Sequence, residues 1–337
     1  MKTVLDSLNS ALHQAMAVND RVILIGEDVL DPYGGAFKVT RGLSDRFPDR
    51  VLAAPVSEAA QVGIAAGMAM RGLRPVVEIM FGDFLTLAAD QLINHAAKFN
   101  WMYNDQVKVP MVVRTPMGGR RGYGPTHSQT LEKLFLGAPG LTIVAPSNLP
   151  GSHGGQPADL LSWAILDQDS PVLFIENKLQ YLLPLLDNDG FTDFELENDA
   201  SQLPTLKVKI RGAPPATLTL TAYGYMAELA RQAQLELAYE FEIFSELIIP
   251  TRIAPFNTQM LIESVYHTHR LLAIEEGTRT LGWGAEILAQ VAEVGGLRLD
   301  NARRIAAADS PIPAASRLEA EALPGISDIT QAARRMV

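Results

Sequence analysis

The sequence contains no cysteine among its 337 residues. Disulfides, thiolate zinc sites and a cysteine nucleophile are therefore excluded, and a reducing compartment is favoured. Runs of eighteen apolar residues are also missing, so we expect no segment that spans a membrane. The first sixteen residues carry Asp6 and other polar residues at helical spacing and lack the apolar core of a signal peptide. We therefore expect a cytoplasmic protein.

Clusters of basic residues are missing as well. The chain has 28 Lys and Arg against 38 Asp and Glu, which gives a formal net charge of −10. Neither nucleic acid nor an anionic membrane is an expected partner for such a surface. Three ligand motifs are absent from the sequence: GxGxxG after a strand, GxxxxGK[ST] and GxSxG. Their absence argues against a dinucleotide-binding protein, a P-loop enzyme and an α/β-hydrolase.

What the sequence does contain is a regular alternation of short apolar runs and longer amphipathic segments. Near-continuous apolar runs indicate strands of a parallel sheet that is covered on both faces. They lie at residues 21–28, 50–55, 74–80, 109–116, 141–147 and 171–177. Helical patterns lie between them, at residues 3–17, 57–71, 83–103, 129–136 and 157–167. This order predicts a doubly wound, mostly parallel α/β domain over residues 1–185.

The second half of the chain repeats this kind of alternation after an interruption. Residues 186–214 are rich in Asp, Asn, Gly and Pro, which predicts an interdomain linker with a short hairpin. Residues 215–337 then return to strand and helix patterns and predict a smaller second α/β domain.

One carboxylate stands out in the stretch APVSEAAQVGIAAGMAMRG, residues 54–72. Glu58 directly follows a predicted strand, and the run after it is small and apolar. Ser57 can cap the following helix, and an acid in a first helical turn gains up to about 1 kcal/mol from the helix dipole. A purely structural role is therefore one interpretation. The other is a ligand site, because ligands of open α/β sheets sit at the carboxyl ends of strands.

A histidine ends the glycine-rich stretch RTPMGGRRGYGPTHSQTLEKLF, residues 114–135. His127 follows a predicted strand and a loop whose glycines permit tight turns and a close approach to a ligand. Such a histidine can exchange protons near neutral pH, or it can be a surface residue that caps the next helix. His267 and His269 have no third ligand in the sequence nearby, so they do not predict a metal site.

Together these segments resemble a family of thiamine-diphosphate enzymes. The matching text is GEDVLDPYGGAFKVTRGL, APVSEAAQVGIAAGMAMRGLRPVVEIM, DFLTLAADQLINHAAKF, VPMVVRTPMGG, THSQ, PGLTIVAPS, RLLAIEEG, GWGAEI and DSPIP. In order and over nearly the whole chain, it is similar to the beta subunit of the decarboxylating first component of 2-oxo acid dehydrogenase complexes. That family includes the pyruvate, branched-chain and acetoin enzymes. The resemblance implies a transketolase-like fold, with a pyrimidine-binding domain followed by a transketolase C-terminal-like domain.

The resemblance also implies roles for individual residues. Glu58 stands where the family keeps the carboxylate that bonds the cofactor's pyrimidine ring, and Phe84 where an aromatic side chain packs on that ring. His127 matches the histidine that lines the substrate side and helps in acyl transfer, with Arg120, Arg121 and Tyr123 beside it. Further cofactor neighbours implied by the family are Glu27, Val56 and Met80. A structural potassium ion is implied near Met111, Ala164, Ile165, Asp167 and Asp169.

The diphosphate half of the cofactor site is missing from this sequence. The family binds the diphosphate through magnesium, which a GDG motif and a downstream Asn hold; this chain has GDF at 82–84 and no GDG. The resemblance therefore implies an alpha subunit that supplies the magnesium ligands in an α₂β₂ assembly, and a lipoyl acyltransferase that receives the acyl group. Two alternatives stay open: a carboligase of specialised metabolism without a lipoyl partner, and a non-catalytic paralogue.

Overall fold

The computed structural model describes residues 2–150, 154–187 and 191–337. Part of the glycine-rich loop 148–157, namely residues 151–153, lies outside the described residues. So do residue 1 and residues 188–190 of the predicted linker.

The described residues form thirteen strands and ten α-helices. The strands are β1 Val22–Gly26, β2 Val51–Ala53, β3 Arg74–Glu78, β4 Val112–Met117, β5 Thr142–Val144, β6 Val172–Asn177, β7 Phe194–Asn198, β8 Thr205–Ile210, β9 Leu218–Ala222, β10 Ser245–Pro250, β11 Arg252–Ala254, β12 Arg270–Thr278 and β13 Asn301–Ala307. The helices are α1 Val4–Val18, α2 Leu43–Arg46, α3 Glu58–Met70, α4 Ala97–Met102, α5 Pro157–Leu166, α6 Gly224–Phe241, α7 Gln259–Thr268, α8 Trp283–Ala292, α9 Ser316–Ala322 and α10 Ile326–Arg334.

The first sheet has the order β11-β5-β6-β4-β3-β1-β2 within the described chain. The six strands β1 to β6 pair in parallel, and β11 runs antiparallel to β5 at one edge. Each predicted apolar run of the first domain holds one of these six strands. The predicted doubly wound, mostly parallel α/β fold is confirmed. In such a sheet the carboxyl ends of the parallel strands meet at one edge, where ligands bind.

The second sheet has the order β13-β12-β9-β10-β8-β7 among the described strands. Strands β13, β12, β9 and β10 pair in parallel, and β8 and β7 extend the sheet in antiparallel fashion. This is the smaller, second α/β unit that the sequence predicts.

Two features of the structure cross the predicted domain boundaries. Residues 186–214 hold the hairpin β7–β8, which belongs to the second sheet and is more than a linker. Its strands alternate charged and apolar residues, and Lys207 pairs with Glu197 across the hairpin at 2.6 Å. The surrounding Asp, Asn and Gly residues hide this alternation in the sequence. The segment 215–337 also contributes β11 to the first sheet, so that sheet contains a strand from the second predicted domain.

Two predicted helices also differ from the structure. Residues 83–103 form a 3₁₀ segment at Gly82–Ala88, a π-helical turn at Gln91–Ala96 and only then α4. Residues 129–136 form just the 3₁₀ turn Glu132–Leu134. In that turn Glu132 is buried and faces the second domain, where it accepts a hydrogen bond from Tyr223. A tertiary contact therefore replaces the helix that the sequence pattern favours.

One cluster of the apolar core joins the two sheets. A cluster of buried apolar side chains includes Val77 and Val113 of the first sheet together with Leu271 and Trp283 of the second domain. None of the helices in the described part of the chain combines the length and apolar character that crossing a bilayer requires.

Candidate active site

The sequence-predicted residues gather at the carboxyl edge of the first sheet. Glu27 follows β1, Glu58 opens the helix after β2, and Met80 follows β3. Phe84 lies in the 3₁₀ segment after β3, and His127 ends the loop after β4. Parallel strands whose carboxyl ends meet bring these positions together from about a hundred residues of sequence, which is the usual place for a ligand in such a sheet.

Glu58 is the first residue of α3 and is only 4% exposed. Ser57 caps the helix by accepting a hydrogen bond from the backbone N–H of Ala60 at 3.4 Å. The side chain of Glu58 makes no hydrogen bond or ion pair with any other residue in the described parts of the chain. The carboxylate oxygens of this largely buried residue are not sealed from the surface, so a ligand donor can reach them.

Glu27 lies next to Glu58. Its Oε1 accepts a hydrogen bond from Nε2 of Gln61 at 2.9 Å. Burial, followed by the negative charge of Glu58, raises the pKa of Glu27 above 4.5. Gln61 also donates to the carbonyl oxygen of Pro55 at 3.2 Å, which ties the β2–α3 connection to β1.

An aromatic wall of Phe37, Phe81, Phe84, Tyr123 and His127 lies at the same edge of the sheet. The His127 ring lies edge-to-face against Phe81 and Phe84, with ring centroids 4.8 and 5.2 Å apart. Phe81 also meets Tyr123 at 6.0 Å and Phe37 at 5.7 Å. Edge-to-face contacts of this kind fix ring orientations. Phe84 is half-buried, so part of its ring remains open to a ligand.

The imidazole of His127 is half-buried and has one side-chain partner. The hydroxyl of Thr126 lies 2.9 Å from Nδ1. Among the described residues Nε2 has no hydrogen-bond partner. This nitrogen is therefore free to exchange a proton with, or donate to, a bound substrate.

The loop 118–127 that carries His127 is held at both ends. At one end the buried carboxylates Glu276 and Glu319 of the second domain accept backbone N–H groups: Glu276 from Gly119 at 2.7 Å, Glu319 from Arg120 at 2.8 Å and Gly122 at 3.0 Å. At the other end Lys178, which follows β6, donates to backbone carbonyls of the loop. None of these three side chains was predicted from the sequence. Position at a strand end was a signal for Lys178, whereas nothing in the sequence points to Glu319.

A buried network of ion pairs links the strands that lead to this edge. Arg114 of β4 makes a two-point contact with Glu176 of β6, at 2.8 Å from Nε and 2.5 Å from Nη2, and also pairs with Glu78 of β3. Tyr181 donates its hydroxyl to Glu176 at 2.5 Å. The two carboxylates raise the pKa of the guanidinium despite its burial, so Arg114 stays charged. The network ties three neighbouring strands together under the aromatic wall.

The other residues predicted to line the site differ in their exposure and orientation. Met80 is half-buried beside Phe81, whereas Val56 is 82% exposed. Arg120 turns its side chain to the carbonyl of Pro324 and away from the site. Arg121 lies 5.8 Å from the centre of the Phe37 ring. Of the three residues that flank His127 in sequence, Arg121 and Tyr123 therefore contact the aromatic wall.

The residues predicted for potassium gather in one corner below the site. Met111 lies at the start of β4, and Ala164, Ile165, Asp167 and Asp169 lie at the end of α5 and in the turn after it. Two cationic side chains already bind oxygen atoms in this region. The Arg74 guanidinium donates to the carbonyls of Leu166 at 2.7 Å and Gln168 at 2.8 Å, and Lys108 pairs with the Asp169 carboxylate. Of the five predicted ligands only Asp169 is paired with one of these cations, so the potassium site stays a prediction.

Two further carboxylates meet between the domains, behind the glycine-rich loop. Glu132 accepts a hydrogen bond from Tyr223 at 2.6 Å, and Glu275 accepts one from the backbone of Gly284 at 3.0 Å. Each leaves its Oε2 atom buried without a partner in the described structure. Burial, and then the charge of Glu132, raise the pKa of Glu275 to about 8. No group of three or more His, Asp or Glu side chains among the described residues could hold a metal ion.

Comparisons with known proteins agree on one family. The family described as "Transketolase, pyrimidine binding domain" matches residues 1–182, and "Transketolase, C-terminal domain" matches residues 207–329. Among curated relatives, a mitochondrial pyruvate dehydrogenase E1 component subunit beta-2 of Oryza sativa subsp. japonica is 40% identical over 99% of this chain and 85% of its own length. The corresponding beta subunit of Rickettsia conorii is 35% identical over 99% of this chain and 98% of its own length.

A solved structure shows the same fold at low sequence identity. The chain described as "Split gene transketolase, inactive beta4 tetramer" superposes with a TM-score of 0.75 at 16% identity. The superposition covers 100% of this chain and 98% of that one.

Proposed function

This chain belongs to the family of pyruvate dehydrogenase E1 beta subunits, and from that premise we propose that it helps to decarboxylate a 2-oxo acid and to transfer the acyl group to a lipoyl domain. Membership makes it the beta subunit of a thiamine-dependent 2-oxo acid dehydrogenase. The observation that carries the proposal is the carboxylate of the largely buried Glu58, which has no partner among the described residues and lies at the carboxyl edge of the first sheet.

The residues on this edge fit the pyrimidine half of thiamine diphosphate. When bound, the cofactor supplies the carbanion chemistry that decarboxylation of a 2-oxo acid needs. Glu58 would accept a hydrogen bond from the ring, because it is buried and has no donor from the described chain. A carboxylate in such a site makes a charge-assisted bond, about twice as strong as a neutral one. Phe84, Met80 and Glu27 would surround the ring.

The substrate side of the site would be formed by His127. Its free Nε2 would hold or deliver a proton during acyl transfer, while Phe81 and Phe84 keep the ring in place. Arg121 adds a cation on the same face, where the carboxylate of a substrate would be stabilised.

An alpha subunit would complete the site in an α₂β₂ assembly and would supply the magnesium ligands. The segments that carry the site also expose apolar side chains: Val56 is 82%, Ile64 61% and Leu87 58% exposed. Exposed apolar groups on the segments of a half-formed site favour a protein partner. A lipoyl acyltransferase would then take the acyl group. The cytoplasmic setting stays a prediction, and the rice relatives are named mitochondrial.

The proposal is tested by co-expressing the chain with a subunit that contains GDG and a downstream Asn. Reduction of an artificial electron acceptor that depends on a 2-oxo acid is expected, followed by acylation of an added lipoyl domain. Turnover with an aldehyde acceptor but no acylation of the lipoyl domain would favour a carboligase. No decarboxylation of any 2-oxo acid would contradict the proposal and favour a non-catalytic paralogue.

A further inference from the structure

We propose that Lys178 is a positioning residue that fixes His127 at the substrate side of the site. Only the chemical role of His127 rests on the proposed function; the contact itself is structural. Lys178 directly follows β6, and its side chain is fully buried. Its Nζ donates to the carbonyl oxygen of His127 at 2.5 Å and to that of Gly118 at 2.7 Å.

These two bonds hold the two ends of the loop 118–127 together. Gly118 and His127 lie nine residues apart in sequence, and one ammonium group binds both of their carbonyls. A second tie between the same two ends is a backbone hydrogen bond, in which the N–H of Gly118 donates to the carbonyl of Gln129 at 3.3 Å. Hydrogen bonds from a charged donor are about twice as strong as neutral ones, so Lys178 is the stronger of the two ties.

The surroundings of Lys178 explain why a lysine is tolerated there. Asp83, Glu276 and Glu319 face it with negative charge, and Arg121 faces it with positive charge. Its Nζ also lies 5.2 Å from the centre of the Phe81 ring, the same ring that packs against His127. Lys178 thus binds the backbone carbonyl of His127. It also contacts the ring of Phe81, against which the His127 imidazole packs.

Residues 119–122 of the loop also have hydrogen-bond partners other than Lys178. Backbone N–H groups of Gly119, Arg120 and Gly122 are bound by Glu276 and Glu319 from the second domain. Loss of the ammonium group should therefore release the His127 end of the loop and leave the Gly119 end in place. This local response separates a positioning role from a general role in folding.

The first test is hydrogen exchange, read by mass spectrometry on the assembly in which the chain purifies. In Lys178→Met, peptides that cover residues 123–129 should exchange about tenfold faster or more, and peptides that cover 119–122 should not change. Lys178→Arg, which keeps the charge and several donors, should restore most of the protection. Lys133→Met is the matched control, because Lys133 also binds backbone carbonyls, those of Thr278 and Thr280, but away from this loop.

The second test separates the two partial reactions. In Lys178→Met, kcat for acylation of a lipoyl domain should fall roughly 100-fold, since a displacement of about 1 Å can cost that much. The KM for the 2-oxo acid and the reduction of an artificial acceptor should stay within about threefold of wild type. If the methionine variant does not fold, Lys178→Gln takes its place with the same expectations.

Two results would overturn the inference: unchanged exchange over 123–129, or an equal loss of both partial reactions together with a lower melting temperature. Failure of the proposed function looks different. In that case the wild-type assembly decarboxylates no 2-oxo acid, whereas the exchange experiment still decides whether Lys178 holds the His127 end of the loop.

Discussion

Glu27 and Glu58 are neighbouring carboxylates at the edge of the first sheet, and they differ in their hydrogen bonding. Gln61 donates a hydrogen bond to Glu27, whereas Glu58 has no donor among the described residues. The charge of Glu58 adds to burial in raising the pKa of Glu27. One carboxylate is thus already satisfied by the protein, and the other is left for a ligand.

Glu58→Gln should abolish turnover while the fold persists, because the change is nearly isosteric but removes the charge that would bind the cofactor ring. We expect a loss of about 100-fold or more in the 2-oxo acid-dependent reduction of an artificial acceptor. The melting temperature should stay close to that of wild type. Glu263→Gln, an exposed glutamate on α7, is the matched control and should keep full activity. Activity that survives in Glu58→Gln would return Glu58 to the role of a helix-start residue.

Arg114→Met should destabilise the chain strongly, since it leaves Glu78 and Glu176 buried without their cation. Breaking a buried pair on one side costs about 3–5 kcal/mol. Lys209→Met removes a cation from the surface pairs with Glu195 and Glu197 and should cost no more than about 1 kcal/mol. Denaturation curves of the two variants check the difference. Equal effects would mean that the network adds nothing to the stability of the sheet.

Glu319→Ala should loosen the glycine-rich loop, because the backbone N–H groups of Arg120 and Gly122 lose their acceptor. A buried donor left unsatisfied costs about 1–3 kcal/mol. Hydrogen exchange over residues 119–122 should rise, and acyl transfer should fall with it. Glu321→Ala changes an exposed carboxylate on the same helix, which pairs with Arg317, and should leave both quantities as they are. Loop protection that survives in Glu319→Ala would rule out this role for the second domain.

Glu275 should make the stability of the chain depend on pH. Burial, and then Glu132, raise its pKa from 4.5 to about 8, so the folded state holds this proton more tightly than the unfolded chain does. The resulting stability is complete below about pH 4.5 and is lost as the pH rises to about 8. Glu275→Gln stays neutral and should therefore lose less stability than wild type as the pH rises from about 4.5 to about 8. Melting temperatures across this range check it, and parallel curves for the two proteins would count against it.

Gly140→Ala should destabilise the chain, whereas Gly137→Ala should not. Gly140 has a φ of +86°, and a methyl group there would lie 2.1 Å from the carbonyl oxygen of Ala97. Gly137 has open space around it and an ordinary φ, so alanine there is tolerated and lowers the entropy of the unfolded chain. Thermal unfolding should show a clear loss for the first variant and no loss for the second. Similar melting temperatures would mean that the backbone near Gly140 can relax.

The strands of the first domain could be predicted because apolar runs such as VILIG of β1 and VLFIEN of β6 are buried on both faces. A run of this kind carries its signal within a few residues. The hairpin β7–β8 could not be predicted as firmly. Its charged residues, such as Glu195 and Lys209, face solvent, and the turn residues around it dominate the local composition. The predicted helix at 129–136 failed for a different reason, because Glu132 is drawn into a contact with Tyr223 from a distant part of the chain.

The residues of the candidate site also differ in how readily the sequence predicts them. Glu58 and His127 follow predicted strands in the sequence, and their positions alone indicate the carboxyl edge of the sheet. Lys178, Glu276 and Glu319 hold the loop only because three distant segments meet, and no local pattern reports such a meeting. Sequence reasoning therefore finds residues that would touch a ligand more readily than residues that position them.

Strand β11 has a consequence for how the chain can be divided. It lies at Arg252–Ala254, in the second half of the sequence, yet it completes the edge of the first sheet beside β5. A fragment that stops near residue 214 would leave the backbone of β5 open to the same edge of another copy, which favours aggregation. The two halves should accordingly resist expression as independent modules.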